Sequence, residues 1–140
     1  MKKLKKLLVA LLAATLMVSA LPLSASAAKI ENEVMPLWDN AMLVSCGIYY
    51  GEDGFGYAES TVRGKVGTSG ITTTIYVYRV VNGEKEYVTE LHESTQAGSL
   101  ISSCQFVAIS GESYLAEYTF TVTKNGSDEV ITKSDTEICP

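Results

Sequence analysis

The chain has 140 residues, and its sixteen acidic and eleven basic residues give a net charge of −5. Without the 28-residue leader proposed below, about 112 residues remain, which is the usual size of one domain. This length excludes a large multidomain enzyme. The acidic balance repels phosphate backbones, so the sequence predicts no nucleic-acid partner.

Residues 1–28 have the three parts of a secretory signal peptide. A basic region with four lysines precedes an apolar run over residues 7–18, and Ala25-Ser26-Ala27 supplies the small residues that a signal peptidase accepts. We predict cleavage after Ala27 or Ala28, an extracellular location, and no membrane span in the processed protein. Residues 29–140 keep seven basic and sixteen acidic residues, a net charge of −9.

From Ala41 onward, polar and apolar residues alternate with the period of a β-strand, and Gly and Asn turn signals separate the segments. The first segment places Met42, Val44, Cys46, Ile48 and Tyr50 on one face. The predicted strands are residues 41–50, 56–65, 71–81, 87–93, 100–109, 113–124 and 129–136. The pairs Asn82-Gly83 and Asn125-Gly126 tolerate positive φ and predict tight hairpins.

Seven short strands joined by tight turns favour an all-β, immunoglobulin-like antiparallel β-sandwich. We assign residues 1–28 to the signal peptide, 29–40 to an N-terminal extension and 41–140 to the β-sandwich domain. At the start of the sixth strand, Gly111 to Tyr114 resembles a tyrosine corner, in which the hydroxyl bonds to backbone upstream. An ordinary core tyrosine after a glycine turn is the alternative.

Three segments carry a resemblance to a family: Met35 to Asn40, Thr61 to Thr68, and the stretch from Gly111-x-x-Tyr114 to Asn125-Gly126. With the leader, they resemble small secreted single-domain proteins of unknown function from low-GC Gram-positive bacteria. The resemblance implies a secreted, immunoglobulin-like β-sandwich and supplies no site residue.

Three cysteines follow the leader: Cys46, Cys104 and Cys139. An odd number allows one internal disulfide with a thiol left over, an intermolecular bridge, or no bridge. Cys46 and Cys104 lie in apolar-periodic segments, as expected of small buried residues. Cys139 is the penultimate residue, and we expect it to be the most mobile of the three.

The residues indicate no catalytic or metal centre. His92 is the one histidine, no Gly-x-Ser-x-Gly motif is present, and the cysteine spacing matches no zinc site. Sixteen carboxylates bring some pair together by chance, and Glu59, Glu117 and Glu129 are predicted on solvent-facing sides of their strands. The turn Gly51–Gly54 lacks the ladder of a calcium loop. We predict no enzyme activity, no cofactor and no metal.

Aromatic residues are the feature that indicates binding. The first predicted hairpin carries five of them: Trp38, Tyr49, Tyr50, Phe55 and Tyr57. Two more, Tyr76 and Tyr78, share a face of the third strand. Exposed rings beside carboxylates and amides stack on sugars or anchor a protein partner, whereas core filling is the alternative.

The sequence therefore predicts a secreted, non-enzymatic β-sandwich module that binds an extracellular glycan or protein. A small secreted effector, either bacteriocin-like or an inhibitor, is one alternative. A small carboxylate hydrolase is another. The sequence does not indicate the oligomeric state.

Overall fold

The computed structural model describes residues 37–140, so the predicted signal peptide and residues 29–36 of the extension lie outside the described residues. The strands are β1 (Ala41–Tyr50), β2 (Phe55–Gly64), β3 (Thr68–Val81), β4 (Glu84–Thr95), β5 (Ser99–Val107), β6 (Ser113–Lys124) and β7 (Ser127–Ile138). Within residues 37–140, no helix is long and apolar enough to span a membrane.

The seven strands form two antiparallel sheets, ordered β1-β2-β5 and β4-β3-β6-β7. The prediction of a seven-stranded, immunoglobulin-like β-sandwich is confirmed. In an immunoglobulin constant domain the fourth strand lies in the sheet of the first, second and fifth strands, whereas here it pairs with β3 and lies in the sheet of β3, β6 and β7. β3, the most β-prone segment, lies between β4 and β6 in that sheet.

The two strands that lead into Asn-Gly turns, β3 and β6, end where predicted, at Val81 and Lys124. Asn82 and Gly83 have φ of 53° and 84°, and Asn125 and Gly126 have φ of 53° and 75°. Positive φ at both central residues defines a type I′ turn, so both hairpins have two-residue loops. β4 and β7 consequently begin directly after these turns, earlier than predicted.

One predicted face is wrong at its first residue, because Met42 is exposed and Ala41 is buried. The register between β1 and β2 shifts between Ala41 and Leu43, which leaves Met42 outside the pairing. Such a bulge inserts one residue and reverses the alternation on one side of it. From Val44 onward, the predicted alternation holds.

The core lies between the sheets, and the inward face of β6 forms its centre. Five β6 side chains are 0–1% exposed, as predicted: Tyr114, Ala116, Tyr118, Phe120 and Val122. On β2 the inward residues are small, and the ring of Phe106 fills the space opposite Gly56. A methyl group at Gly56 would lie 2.3 Å from that ring.

The buried tyrosines of β6 carry hydroxyl groups that need polar partners. The Tyr114 hydroxyl accepts a hydrogen bond from the backbone N–H of Ile109 at 3.0 Å. This is the geometry of a tyrosine corner, the first of the two interpretations of Tyr114. The Tyr118 hydroxyl donates to the carbonyl of Gly47 at 2.9 Å and thereby connects the two sheets.

We predict that Tyr114→Phe lowers the free energy of unfolding by about 1–3 kcal/mol, because it leaves the Ile109 N–H without its acceptor. Urea denaturation measures the change. Tyr49→Phe is the control, since its ring is exposed and its loss of a hydroxyl should change stability little. Equal effects of the two variants would contradict the corner.

A carboxylate on β7 holds the chain where it enters β1. Glu129 accepts three backbone N–H groups, from Asp39 at 2.7 Å, Asn40 at 2.7 Å and Ala41 at 3.0 Å. The side-chain amide of Asn40 donates to the carbonyls of two residues in the β6–β7 hairpin, at 2.9 and 3.0 Å. The prediction that Glu129 faces solvent is therefore wrong.

The sequence pattern predicts the wrong side of the strand for Glu129, because the role of its carboxylate depends on contact with residues 39–41, about 90 positions earlier in the chain. Burial raises the pKa of Glu129. The three backbone N–H groups and Lys65 outweigh it and hold the pKa below the ordinary 4.5. Residues 39 and 40, assigned to the extension by sequence, thus contact the sandwich.

We predict that Glu129→Gln lowers the free energy of unfolding at neutral pH by about 1–3 kcal/mol, since one charged acceptor serves three donors. The folded carboxyl has a depressed pKa, so its stabilisation is present above pH 4.5 and lost as pH falls through the folded-state pKa. Urea denaturation across acidic pH should therefore show a smaller loss in the variant than in the parent. Glu84→Gln, at an exposed position, is the control, and an unchanged acid sensitivity in Glu129→Gln would refute the anchor.

Candidate functional site

The five aromatic residues predicted around the first hairpin do not form one surface. Trp38 is half-buried against the core, and the Nζ atom of Lys133 lies 5.8 Å from its ring centroid. Tyr50 is also half-buried, with its ring centroid 6.5 Å from that of Phe106 and 6.4 Å from that of Tyr114. Burial raises the pKa of Tyr50 to about 12. Both residues therefore contribute mainly to packing.

The other three aromatic residues share the outer face of the β1-β2-β5 sheet. The strand register places Tyr49 opposite Tyr57, and Tyr57 opposite Gln105. Phe55 lies opposite Val107 in the neighbouring pair. Tyr49 is 56% exposed, and Phe55 and Tyr57 are half-buried. We call Tyr49, Tyr57 and Gln105 the tyrosine row; it crosses all three strands and is about 10 Å long.

Hydrogen bonds fix the middle of the tyrosine row. The Tyr57 hydroxyl donates to Oδ2 of Asp53 at 2.9 Å and accepts from Nε2 of Gln105 at 3.4 Å. Oδ1 of Asp53 accepts the backbone N–H of Phe55 at 3.1 Å. These two donors, first the Phe55 N–H and then the Tyr57 hydroxyl, hold the pKa of Asp53 below its ordinary value. The ring is thus oriented before any ligand arrives.

Further polar groups border the tyrosine row on the same face. Glu59 is the next outward-facing residue of β2 after Tyr57, and it is exposed. Its Oε1 accepts a hydrogen bond from the Ser103 hydroxyl at 3.3 Å. The carbonyl oxygen of Gln105 and the carboxylates of Asp53 and Glu59 keep lone pairs for further donors. The face therefore offers flat apolar rings beside hydrogen-bond acceptors.

A second aromatic group lies on the outer face of the other sheet. Tyr76 and Tyr78 are stacked with ring centroids 6.4 Å apart, and Tyr76 meets His92 edge-on at 5.8 Å. Lys85 lies 5.4 Å above the Tyr78 ring and pairs with Glu117. The rings of Tyr76 and Tyr78 are therefore already in contact with other side chains of the protein.

His92 also takes part in local contacts. Its Nδ1 lies 3.1 Å from the Thr74 hydroxyl, and its Nε2 lies 3.6 Å from a carboxylate oxygen of Glu90. Among residues 37–140, no cluster of three His, Cys, Asp or Glu side chains could hold a metal ion.

A depression of about 570 Å³ over β6 and β7 is less suited to a ring-shaped ligand than the tyrosine row. It is lined by Glu117, Tyr118, Thr119, Thr132, Lys133 and Ser134. Its single aromatic residue, Tyr118, is 1% exposed and offers no ring face to a ligand. The tyrosine row is therefore the better candidate.

No disulfide joins the three cysteines, all of which lie in the described part of the chain. Cys46 on β1 and Cys104 on β5 are separated by β2 and are offset by two residues along the strands, which places their backbones about 12 Å apart, beyond disulfide reach. Burial raises the pKa of the Cys104 thiol. The expectation that Cys139 is mobile is wrong: it is buried, and its backbone exchanges hydrogen bonds with Gly111 and Glu112.

Sequence reasoning missed Asp53 and Gln105 as members of the site. Gln105 is 48 residues from Tyr57, and only the β2–β5 register brings them together. Asp53 was interpreted as turn chemistry alone. A local signal was available there, because an Asp two residues before Phe55 and four before Tyr57 can cap the turn and reach the ring hydroxyl.

The chain matches no protein-family model and no curated protein. Two crystal structures of a β-glucuronidase from Parabacteroides merdae, one with glycerol in its active site, each align with a TM-score of 0.41 and 10% identity over 67% of this chain. The sporulation control protein Spo0M from Bacillus subtilis aligns with a TM-score of 0.31 and 13% identity over 69% of it. The alignments span 13% of the glucuronidase and 46% of Spo0M.

Proposed function

We propose that this protein is a secreted, non-enzymatic recognition module that binds a glycan on the outer face of the β1-β2-β5 sheet. The observation that carries the proposal is the tyrosine row, with Tyr57 held by hydrogen bonds and Tyr49 open to solvent. Secretion is supported by the leader pattern of residues 1–28.

Ring stacking supplies the attraction. The C–H faces of a sugar carry small positive partial charges, and the faces of aromatic rings are negative, so the two stack. Tyr49 and Tyr57 stand directly opposite each other on neighbouring strands and so present their rings side by side. Because the Asp53 and Gln105 contacts already orient Tyr57, less side-chain freedom is lost when a ligand binds.

Hydrogen-bond acceptors supply direction. Sugar hydroxyls donate to carboxylates and amide oxygens, and bonds to a charged acceptor are the stronger kind. Asp53, in the turn before β2, and Glu59, on β2, lie beside the rings, one on each side of Tyr57 in the sequence. Because both are acidic and the processed chain carries −9, the surface favours a neutral glycan over a uronic-acid or phosphate-bearing polymer.

The test is binding of the secreted protein to an array of neutral and anionic glycans, followed by calorimetry with the neutral oligosaccharide that binds best. We predict that Tyr49→Ala and Tyr57→Ala each weaken binding about 10-fold or more, the usual cost of removing a central aromatic contact. Thermal unfolding of each variant separates lost binding from lost fold.

Tyr76→Ala is the matched control for Tyr57→Ala, because it removes a tyrosine that is also half-buried from the opposite outer face. It should retain binding within about twofold. Loss of binding in Tyr76→Ala alone, or the absence of saturable binding to any glycan, would overturn the proposal.

A further inference from the structure

The four edges of the two sheets are protected in different ways, and β5 is the exception. An edge strand exposes unpaired backbone groups, and proteins usually guard it with charge, proline, a bulge or a covering segment. Among residues 37–140, β5 pairs with β2 on one side, and no backbone hydrogen bond is recorded on its other side.

The edge of β1 is covered by residues of the opposite sheet. Oδ2 of Asp135 accepts the N–H of Ile48 at 2.8 Å, and the Tyr118 hydroxyl binds the Gly47 carbonyl. β4 and β7 are guarded by charge instead. β4 carries four glutamates and one lysine, and β7 carries five charged residues.

β5 lacks charge, proline and a bulge, and although β4 packs against it, no backbone hydrogen bond from β4 covers its edge. Its sequence, SLISSCQFV, contains no charged residue and no proline, and its register with β2 is unbroken. Ile101 is 76% exposed and Val107 is 67% exposed on its outer face. The strand is therefore an open template for another uncharged, extended segment.

We infer that the segment that pairs with β5 is β5 of a second copy of this chain, giving a two-fold symmetric dimer. The charges of the edge strands favour pairing at β5 over pairing at β4 or β7. A second acidic chain is repelled at β4 and β7, whereas β5 meets its copy without like charges in contact. A two-fold axis makes identical strands antiparallel, and the nine-residue strand centred on Ser103 then pairs along its whole length.

The nearest acidic group on this face is compatible with the pairing. Glu59 lies one strand inward, opposite Ser103. Two copies of Glu59 would then be separated by three strand spacings, about 14 Å, which exceeds the screening length of about 8 Å at physiological ionic strength. Their repulsion is largely screened.

The dimer joins two three-stranded sheets into one six-stranded sheet. Because the axis is perpendicular to this sheet, both tyrosine rows lie on the same face, with their Gln105 ends toward the axis. Two sites on one face would bind a long glycan with an avidity that exceeds either affinity. The dimer itself depends only on the β5 edge and does not require a sugar ligand.

The experiment is sedimentation velocity on the protein purified from the medium of a secreting bacterial host, over a range of micromolar concentrations without glycan. The unsubstituted protein should sediment at twice the monomer mass. Ile101→Lys should raise the dimer dissociation constant about 10-fold or more, because it places a lysine in the pairing edge of each copy. Val130→Lys is the control: Val130 is 63% exposed on the outer face of β7, outside the proposed interface.

Ser103→Lys is a second variant, used if Ile101→Lys unfolds at lower temperature. A monomer at every concentration, or equal weakening by Val130→Lys and Ile101→Lys, would overturn the inference. A dimer that binds no glycan would support the edge pairing and refute only the proposed function. A monomer that binds glycan would do the opposite.

Discussion

The buried hydroxyl groups of the β6 tyrosines need polar partners, and the hydrogen bonds that they make fix how the two sheets meet. The Tyr118 hydroxyl finds its partner on β1 of the opposite sheet, and the Tyr114 hydroxyl finds one in the loop before β6. Asp135 and Glu129 on β7 add carboxylates that accept backbone N–H groups of β1 and the segment before it. The side where β1 and β7 approach each other is therefore closed by directional bonds as well as by apolar packing.

The outer face of the β1-β2-β5 sheet, where we propose that a glycan binds, lies away from that closed side. The inward-facing residues of β2 are small and buried in a packed core. This packing holds the backbone of β2 rigid and therefore fixes the positions of its outward-facing side chains. Phe55, Tyr57 and Glu59 occupy successive outward positions on this strand. A rigid sheet holds such side chains at fixed spacing better than a loop does, which suits a site that must match a ligand of fixed shape.

The sequence predicted the fold more fully than the site, and the reason is the range of the interactions. Alternation and Asn-Gly turns are local, so β1 and β6 were predicted to the residue, and all five inward residues of β6 were correct. The bulge at Met42 and the anchor at Glu129 depend on partners on other strands and were missed. The aromatic surface was half predicted: Tyr49, Phe55 and Tyr57 do share a face, but Trp38 and Tyr50 pack elsewhere, because one strand pattern does not show which residues a neighbouring sheet will cover.

The hydrogen bonds that β6 and β7 make to β1 and to Asn40 just before it also set an order for folding. They join residues 71, 87 and 89 positions apart, so they form only after the intervening chain has been arranged. In a chain that emerges N-terminus first, β1 and β2 appear before β7 exists, and the β1 edge stays open until the last strand arrives. An unfinished chain therefore exposes a β1 edge that the finished protein hides, which makes the C-terminal hairpin the element that closes this edge against pairing with other chains.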